Sequence, residues 1–181
     1  MRITFNAPFI LGFSILASFV LVLSYSVGGH LNILTLNGQF DFQNWQAYLG
    51  LLLYPLSHSG IDHLVSNFSV ILLIGPILEK QLGWQKLLLI SVVTTIAIGV
   101  VHVVFSDSGL IGASGLVFLY IVLVSLSNSN DKEIPLTFIL VVILFLGQEV
   151  LASFNIDNIS HLAHIGGGVM AILFKYVFRN V

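Results

Sequence analysis

A serine lies between glycines in the segment 112-GASG-115, at the start of a stretch that is otherwise apolar. An unaided serine hydroxyl is a poor nucleophile at neutral pH and needs a nearby base to take its proton. His164 is a residue of the type that can act as this base. Asn67 and His63 carry N–H groups that can stabilise the oxyanion of a tetrahedral intermediate. These four side chains have the residue types that acyl transfer requires.

The composition is that of an integral membrane protein. Of 181 residues, 57% are hydrophobic and only 8% are charged, whereas soluble domains are about 25% charged. There is no cysteine, which excludes disulfides, thiol catalysis and thiolate metal sites. The net charge of −2 gives no indication of nucleic-acid binding.

Hydropathy predicts six membrane spans in one helical domain that covers residues 1–181. The predicted spans are residues 8–27, 59–78, 86–105, 110–127, 134–151 and 159–178. The first is interpreted as a retained span, because its apolar core is longer than that of a signal peptide, the alternative reading. Residues 28–58 form a long first loop. Its apolar piece, 47–56, is too short to span and is expected to be re-entrant or interfacial.

The basic residues predict the orientation of the chain. With six spans, all lysines and arginines fall on one side of the membrane, which the positive-inside rule makes cytoplasmic. They are Arg2, Lys80, Lys86, Lys132, Lys175 and Arg179. Both termini are therefore expected in the cytoplasm. The outer side carries only acids, namely Asp41, Asp62, Asp107, Glu149 and Asp157.

The polar candidates are expected at one depth in the membrane. Spans 2, 4 and 6 run in the same direction, and each has an aspartate near its outer end. Asn67 lies five residues past that aspartate, and Ser114 and His164 each lie seven past theirs. If the segments are helical throughout, these side chains lie roughly 7–11 Å below the outer acids. His63 shares a helix face with Asn67 at i, i+4 spacing.

Small residues on spans 4 and 6 would let the two helices approach closely, because they remove side-chain bulk. Gly112 and Gly115 lie on span 4, and Gly167 is the centre of the Gly-Gly-Gly run of span 6. A close approach would bring His164 within reach of Ser114. Taken singly, each polar residue could instead serve in interhelical hydrogen bonding.

Three motifs, in this order, resemble those of the rhomboid intramembrane serine proteases. They are 63-HLVSN-67 in span 2, Gly-x-Ser-Gly opening span 4, and 163-AHIGG-167 in span 6. The resemblance covers roughly residues 40–178. It implies an all-α membrane protein, a bundle of six transmembrane helices of rhomboid type with a long, partly membrane-embedded first outer loop.

The resemblance also implies roles for single residues. Ser114 would be the nucleophile and His164 its general base. Asn67, His63 and the backbone at Ser114 would form the oxyanion hole. No cofactor and no metal are expected.

Further positions match the family less closely. Gly112 would shape the loop entering span 4, and Phe118 would stack on the catalytic histidine where many members have a tyrosine. His58 matches a histidine common in the family and is interpreted as structural. The stretch 79-EKQLG-83 resembles the Glu and Gly that follow span 2, although a charged cytoplasmic turn explains it equally well. Trp45-Gln46 departs from the Trp-Arg pair of many members.

No carboxylate is expected beside His164, because Asp157, the nearest along its segment, lies about two turns outward. The prediction is therefore a Ser-His dyad without a third, acidic member. His161, one turn outward on the same face, is interpreted as structural or solvent-facing. Metal hydrolysis by the histidines is disfavoured because the His-Glu-x-x-His pattern is absent and no carboxylate within the spans completes a site.

The predicted function is cleavage of transmembrane segments of other membrane proteins, near the outer face of the cell (inner) membrane. The expected partners are the lipid bilayer and single-span or multi-span substrates, which would enter sideways past span 5. One alternative is a catalytically inactive rhomboid-like scaffold or chaperone. Another is a carrier or channel for small solutes that uses the same polar cavity.

Overall fold

The computed structural model describes residues 3–29, 31–127, 133–152 and 160–177. The α-helices in these ranges are α1 (Pro8–Ser26), α2 (Trp45–Leu53), α3 (Ile61–Leu82), α4 (Trp84–Phe105), α5 (Ser114–Leu126), α6 (Leu136–Val141), α7 (Gly147–Ala152) and α8 (His161–Val177). Two 3-10 helices, Asn32–Leu34 and Tyr54–Leu56, flank α2, and a π-helical turn, Val142–Leu146, joins α6 to α7. Of the residues used to predict orientation and depth, Arg2, Lys132, Asp157 and Arg179 lie outside the described ranges.

Three helices are long and apolar enough to cross a membrane. They are α1, with 19 residues, and α3 and α4, with 22 each. Three further apolar segments are shorter, namely α5, the run Leu136–Leu151 and α8. Large apolar side chains are exposed along the long helices, for example Leu73 on α3 and Val104 on α4. Soluble proteins rarely expose such surfaces, so the chain is an integral membrane protein.

The fourth predicted span begins later than the sequence indicated. Helix α5 starts at Ser114, and residues 106–113, here called the lead-in segment, are not helical. The expectation of continuous helix from Asp107 to Ser114 is therefore wrong. The depth of Ser114 cannot be counted at the helical rise of 1.5 Å per residue.

Backbone hydrogen bonds to the first loop explain why the lead-in segment is not helical. Leu36 and Leu110 form an isolated antiparallel bridge, in which their N–H and C=O groups pair at 3.1 and 2.8 Å. The Gly112 N–H donates to the Tyr54 carbonyl at 3.0 Å. These bonds replace those that a helical turn would make, so the lead-in segment is irregular and follows the first loop.

Helix α5 is the central element of the fold, and its most extensive contact is with α8. Residues 115–120 of α5 are all buried. At the crossing, a Cβ atom on Gly167 of α8 would collide with the carbonyl oxygen of Gly115 and lie 3.1 Å from the Leu119 nitrogen. Glycine at these positions therefore lets the two backbones meet directly.

Helices α3, α5 and α8 run in the same direction. Gly112, just before α5, lies against His63 and Asn67 near the start of α3. At the other end, Lys175 in the last turn of α8 donates a hydrogen bond to the carbonyl of Leu126, the last residue of α5, at 3.4 Å. The three helix starts, which carry the polar candidates, are thus on one side of the molecule.

Glu79, near the end of α3, is more than a residue of a charged turn. Its two carboxylate oxygens accept hydrogen bonds from the backbone N–H groups of Phe9 and Ile10 at 2.9 and 3.0 Å. These N–H groups belong to the first turn of α1 and have no acceptor within that helix. The carboxylate is buried and joins the end of α3 to the start of α1.

Candidate active site

A cavity of about 720 Å³ lies between the starts of α3, α5 and α8. Ser114, His164, His63 and Asn67, which are far apart in sequence, all line it. Phe118 and part of the lead-in segment complete its wall. The fold therefore brings the four polar candidates to one cavity.

Ser114 is the first residue of α5, so it lies at a helix N-terminus. The first N–H groups of a helix have no intrahelical acceptor and form the positive end of its dipole. The wall of the cavity at Ser114 is therefore the positive end of α5. Donors in this arrangement stabilise the negative oxygen of a tetrahedral intermediate.

Gly112 forms the contact between the lead-in segment and α3. Its φ of +100° lies in a region that favours glycine. A Cβ here would also lie 2.6 Å from His63 Nε2 and 3.5 Å from Asn67 Nδ2. Both the backbone angle and the absence of a side chain are therefore needed at this position.

Asn67 and His63 present nitrogen atoms at the cavity. The buried Nδ2 of Asn67 has no hydrogen-bond partner within the described part of the chain. Buried polar groups are nearly always satisfied, so this amide is a donor available to a bound ligand. His63 Nδ1 lies 3.1 Å from Ser59 Oγ, a contact that leaves its Nε2 edge facing Gly112.

The His164 ring is held from one face by Phe118. The ring centroids are 4.5 Å apart and the planes are 8° from parallel. The side chain of His164 is 12% exposed. Phe145 of the π-helical turn contacts Phe118 edge to face at 6.2 Å, so this stack is supported from the α6–α7 side.

A carboxylate contacts His164, contrary to the sequence expectation. Glu149 Oε2 lies 2.8 Å from His164 Nδ1 and 2.7 Å from His161 Nδ1. The contact with His161 is a hydrogen bond. The Nδ1–H bond of His164 does not point at Oε2 of Glu149, so the second contact does not have the geometry of a hydrogen bond. The expectation of a histidine without an acidic neighbour is wrong, because it considered only carboxylates along the same segment and Glu149 approaches from α7.

These three residues also bear on the possibility of a metal. Their donor atoms lie within 4.8 Å of one another, and a His-His-Glu set suits zinc. The expectation from the sequence that no carboxylate completes such a site is therefore wrong. However, separations of 2.7 and 2.8 Å are those of hydrogen bonds and ion pairs, whereas two ligands of one tetrahedral zinc ion are about 3.3 Å apart. The cluster is arranged as an ion-pair network.

His58 packs beneath the site and is 1% exposed. Its ring contacts His63 edge to face, with centroids 4.9 Å apart. Burial, together with the nearby His63, lowers the pKa of His58 to about 4, although a contact with the Leu56 carbonyl opposes this. His58 is therefore a neutral packing residue at physiological pH, as its structural interpretation requires.

Comparison with known proteins identifies relatives over most of the chain. The family model of the rhomboid domain matches residues 43–181. The chain is 31% identical to Rhomboid-related protein 1 of Caenorhabditis elegans over 138 residues, which are 68% of this chain and 38% of that protein. It is 34% identical to Rhomboid protease GluP of Bacillus subtilis over 129 residues, which are 66% of this chain and 25% of that protein.

A third relative matches over a larger share of both chains. YdcA of Bacillus subtilis, named as a candidate rhomboid protease, is 31% identical over 158 residues, 86% of this chain and 75% of that protein. The fold is thus that of a helical integral membrane protein with a polar cavity. The chain belongs to the rhomboid family. It spans 38% and 25% of the lengths of the C. elegans protein and GluP.

Proposed function

We propose that this protein is an intramembrane serine endopeptidase that cleaves transmembrane segments of other membrane proteins. Members of the rhomboid family are generally intramembrane serine proteases. The observation that carries the proposal is the common cavity of Ser114 and His164. The same cavity contains the Asn67 amide, whose Nδ2 has no hydrogen-bond partner among the described residues. A nucleophile, a base and a donor for the oxyanion are the minimum set for acyl transfer.

In the proposed reaction, Ser114 Oγ attacks the carbonyl carbon of the scissile peptide and its proton passes to His164 Nε2. The carbonyl electron pair moves onto the oxygen. His164 then gives the proton to the leaving amine, and an acyl-enzyme forms. Water, with His164 again as base, releases the second product and restores the serine.

The oxyanion would be stabilised by groups from two helices. Backbone N–H groups at the start of α5, beginning with that of Ser114, would supply one side, and Asn67 Nδ2 and His63 would supply the other. Because these donors are fixed before the substrate arrives, they need no reorganisation as the charge develops. Removal of one such donor lowers kcat by about 10²–10³ in other serine proteases.

The proposed topology has six spans, with α5, the α6–α7 segment and α8 as the three beyond the long helices. Helix α5 is short because the lead-in segment replaces its first turns. Irregular backbone at membrane depth is tolerated only where protein or a water-filled cavity surrounds it. The lead-in segment meets this condition, since it lies between the first loop and the cavity. Both termini would be cytoplasmic, and the cavity would open to the outer face.

Substrates would be single-span or multi-span proteins whose segment unwinds locally at the cavity. A helical peptide bond is protected by its own hydrogen bonds, so weak helix formers such as glycine near the cleavage site would favour attack. The first loop, which lies partly in the membrane in this proposal, would cover the cavity beside the lead-in segment.

The test is cleavage of a generic single-span substrate by the protein in liposomes, together with labelling by a serine-reactive fluorophosphonate. We expect cleavage and labelling by the wild type, and neither by Ser114→Ala. His164→Ala should lose cleavage, and the double variant should lose little more than either single one, because the two residues act as a unit. A wild type that folds but neither cleaves nor labels would support the alternative, an inactive rhomboid-like scaffold or chaperone.

A further inference from the structure

Glu149 lies where α7 meets α8 and contacts two histidines through one oxygen. Oε2 is 2.7 Å from His161 Nδ1 and 2.8 Å from His164 Nδ1. The side chains are largely shielded, with exposed fractions of 16% for Glu149, 10% for His161 and 12% for His164. Charges in such surroundings interact more strongly than the same charges at a water-exposed surface.

The contact occupies one particular edge of the His164 ring. Phe118 covers a face of the ring, and Glu149 lies at the Nδ1 edge. Nε2 is therefore the nitrogen that remains for Ser114. A carboxylate beside Nδ1 favours the tautomer with its proton on Nδ1, and Nε2 then carries the lone pair that a general base needs.

We infer that Glu149 is a positioning residue for His164, an inference that rests on the proposed function. As Ser114 Oγ bonds to the substrate carbonyl carbon, its proton moves to Nε2 and the carbonyl electron pair moves onto oxygen. His164 becomes an imidazolium, and the carboxylate next to Nδ1 stabilises this cation. Glu149 keeps its charge throughout and accepts no proton, as in the hydrolases that have a carboxylate beside the histidine.

His161 has a separate role, which is to hold the carboxylate. Its contact with Glu149 has the geometry of a hydrogen bond, whereas the contact of Glu149 with His164 is close but does not have that geometry. Phe145, four residues before Glu149, contacts Phe118. The α6–α7 segment thus touches the His164 ring directly at its edge and supports, through Phe118, the ring on its face.

The rate of fluorophosphonate labelling at Ser114 tests the inference, because it measures the reactivity of the serine without a protein substrate. We expect Glu149→Gln, which removes the charge and keeps the shape, to label at least about tenfold more slowly, with about 10⁴-fold as the upper limit. Glu149→Asp should recover part of the loss, because it restores the charge. Gln148→Ala, at an exposed neighbouring position of α7, is the matched control and should label at close to the wild-type rate.

Two outcomes would overturn the role of Glu149. One is a wild-type labelling rate in Glu149→Gln. The other is an equal loss in Glu149→Gln and Gln148→Ala, which would mean that changes in α7 act on the fold alone. Failure of the proposed function looks different, since the wild type would then not label, or would label equally after Ser114→Ala.

A second measurement needs no variant of Glu149 and therefore does not depend on how such a variant folds. Nitrogen-15 NMR of histidine-labelled protein reports which ring nitrogen carries the proton, and comparison with His164→Gln assigns the His164 signals. We expect the neutral His164 ring to carry its proton on Nδ1. A proton on Nε2 would contradict the inference, because that nitrogen could not then accept the serine proton.

Discussion

Phe118 lies flat against His164, with 4.5 Å between ring centroids and planes 8° from parallel. Because the stack fixes the plane of the imidazole, Phe118→Leu should release the ring while keeping an apolar side chain. Aromatic pairs of this kind contribute about 0.5–1.5 kcal/mol, so we expect kcat to fall about 2- to 10-fold. Phe118→Tyr, which retains the ring, is the control. Equal kcat values for the leucine and tyrosine variants would show that the stack does not position His164.

Close contact between α5 and α8 predicts that Gly167 tolerates no side chain. In Gly167→Ala the new Cβ would collide with the backbone of Gly115, which cannot move aside as a side chain can. Overpacking of this kind costs about 1–3 kcal/mol of stability, and separation of the helices should also lower kcat. In the control, Gly166→Ala, the Cβ would lie 3.1 Å from Ile98 Cγ1, which can shift. Similar melting temperatures and activities for both variants would refute the prediction.

Asn67 can be tested for a role in the transition state. If its Nδ2 donates to the oxyanion, Asn67→Ala should lower kcat by about 10²–10³ with little change in KM. If the residue only links helices, the variant should instead lose about 0.6 kcal/mol of stability and keep its kcat. Kinetics and a melting curve on the same sample separate these outcomes. Ser69→Ala, an exposed position on the same helix, controls for general effects on α3.

His58 predicts a pH dependence of stability. Its folded pKa of about 4 is below the ordinary value of 6.5, so the unfolded chain binds more protons between these values. The stabilisation is therefore complete above pH 6.5 and is lost as the pH falls towards 4, to a total of about 3 kcal/mol. His58→Phe keeps the ring and cannot titrate, so its melting temperature should fall less steeply over this range. Parallel curves for the two proteins would exclude His58 as the cause.

Single cysteines test the proposed orientation, because the natural chain contains none. Asn37 and Gln81 are both exposed, in the first loop and at the end of α3. A membrane-impermeant thiol reagent applied to intact cells should label Asn37→Cys. Gln81→Cys should react only after the membrane is opened. The reverse pattern would contradict the proposed orientation, because it would place the end of α3 outside the cell.

The sequence predicted the residues of the cavity better than it predicted their surroundings. The polar types of Ser114, His164 and Asn67, with the glycines beside them, were sufficient to predict that these residues share a cavity. Polar side chains within membrane spans usually face the interior of the helix bundle or a water-filled cavity. The family resemblance was confirmed by the rhomboid match over residues 43–181. The catalytic roles themselves stay predictions.

Glu149 and the start of α5 were missed for related physical reasons. From hydropathy and charge, Glu149 was predicted to be one of several acids at the outer side. Its contact with His164 depends on how the α6–α7 segment, with its π-helical turn, packs on α8. The late start of α5 depends on hydrogen bonds between the lead-in segment and the first loop, which lies far from it in the sequence. Neither contact follows a helical or strand period, so no local pattern reports it.

The bonds between the first loop and the lead-in segment limit how this chain can change in length. Leu36 and Tyr54 hold Leu110 and Gly112 by backbone groups. Apart from the glycine at position 112, the spacing of these residues along the chain therefore matters more than the identity of their side chains. An insertion among the exposed residues 41–44, which precede α2, would lengthen the loop without moving either attachment. One extra residue between positions 110 and 112 would prevent the bonds at Leu110 and at Gly112 from forming together. It would also turn Ser114 away from the cavity. Insertions and deletions should therefore be inherited readily in the former segment and eliminated in the latter.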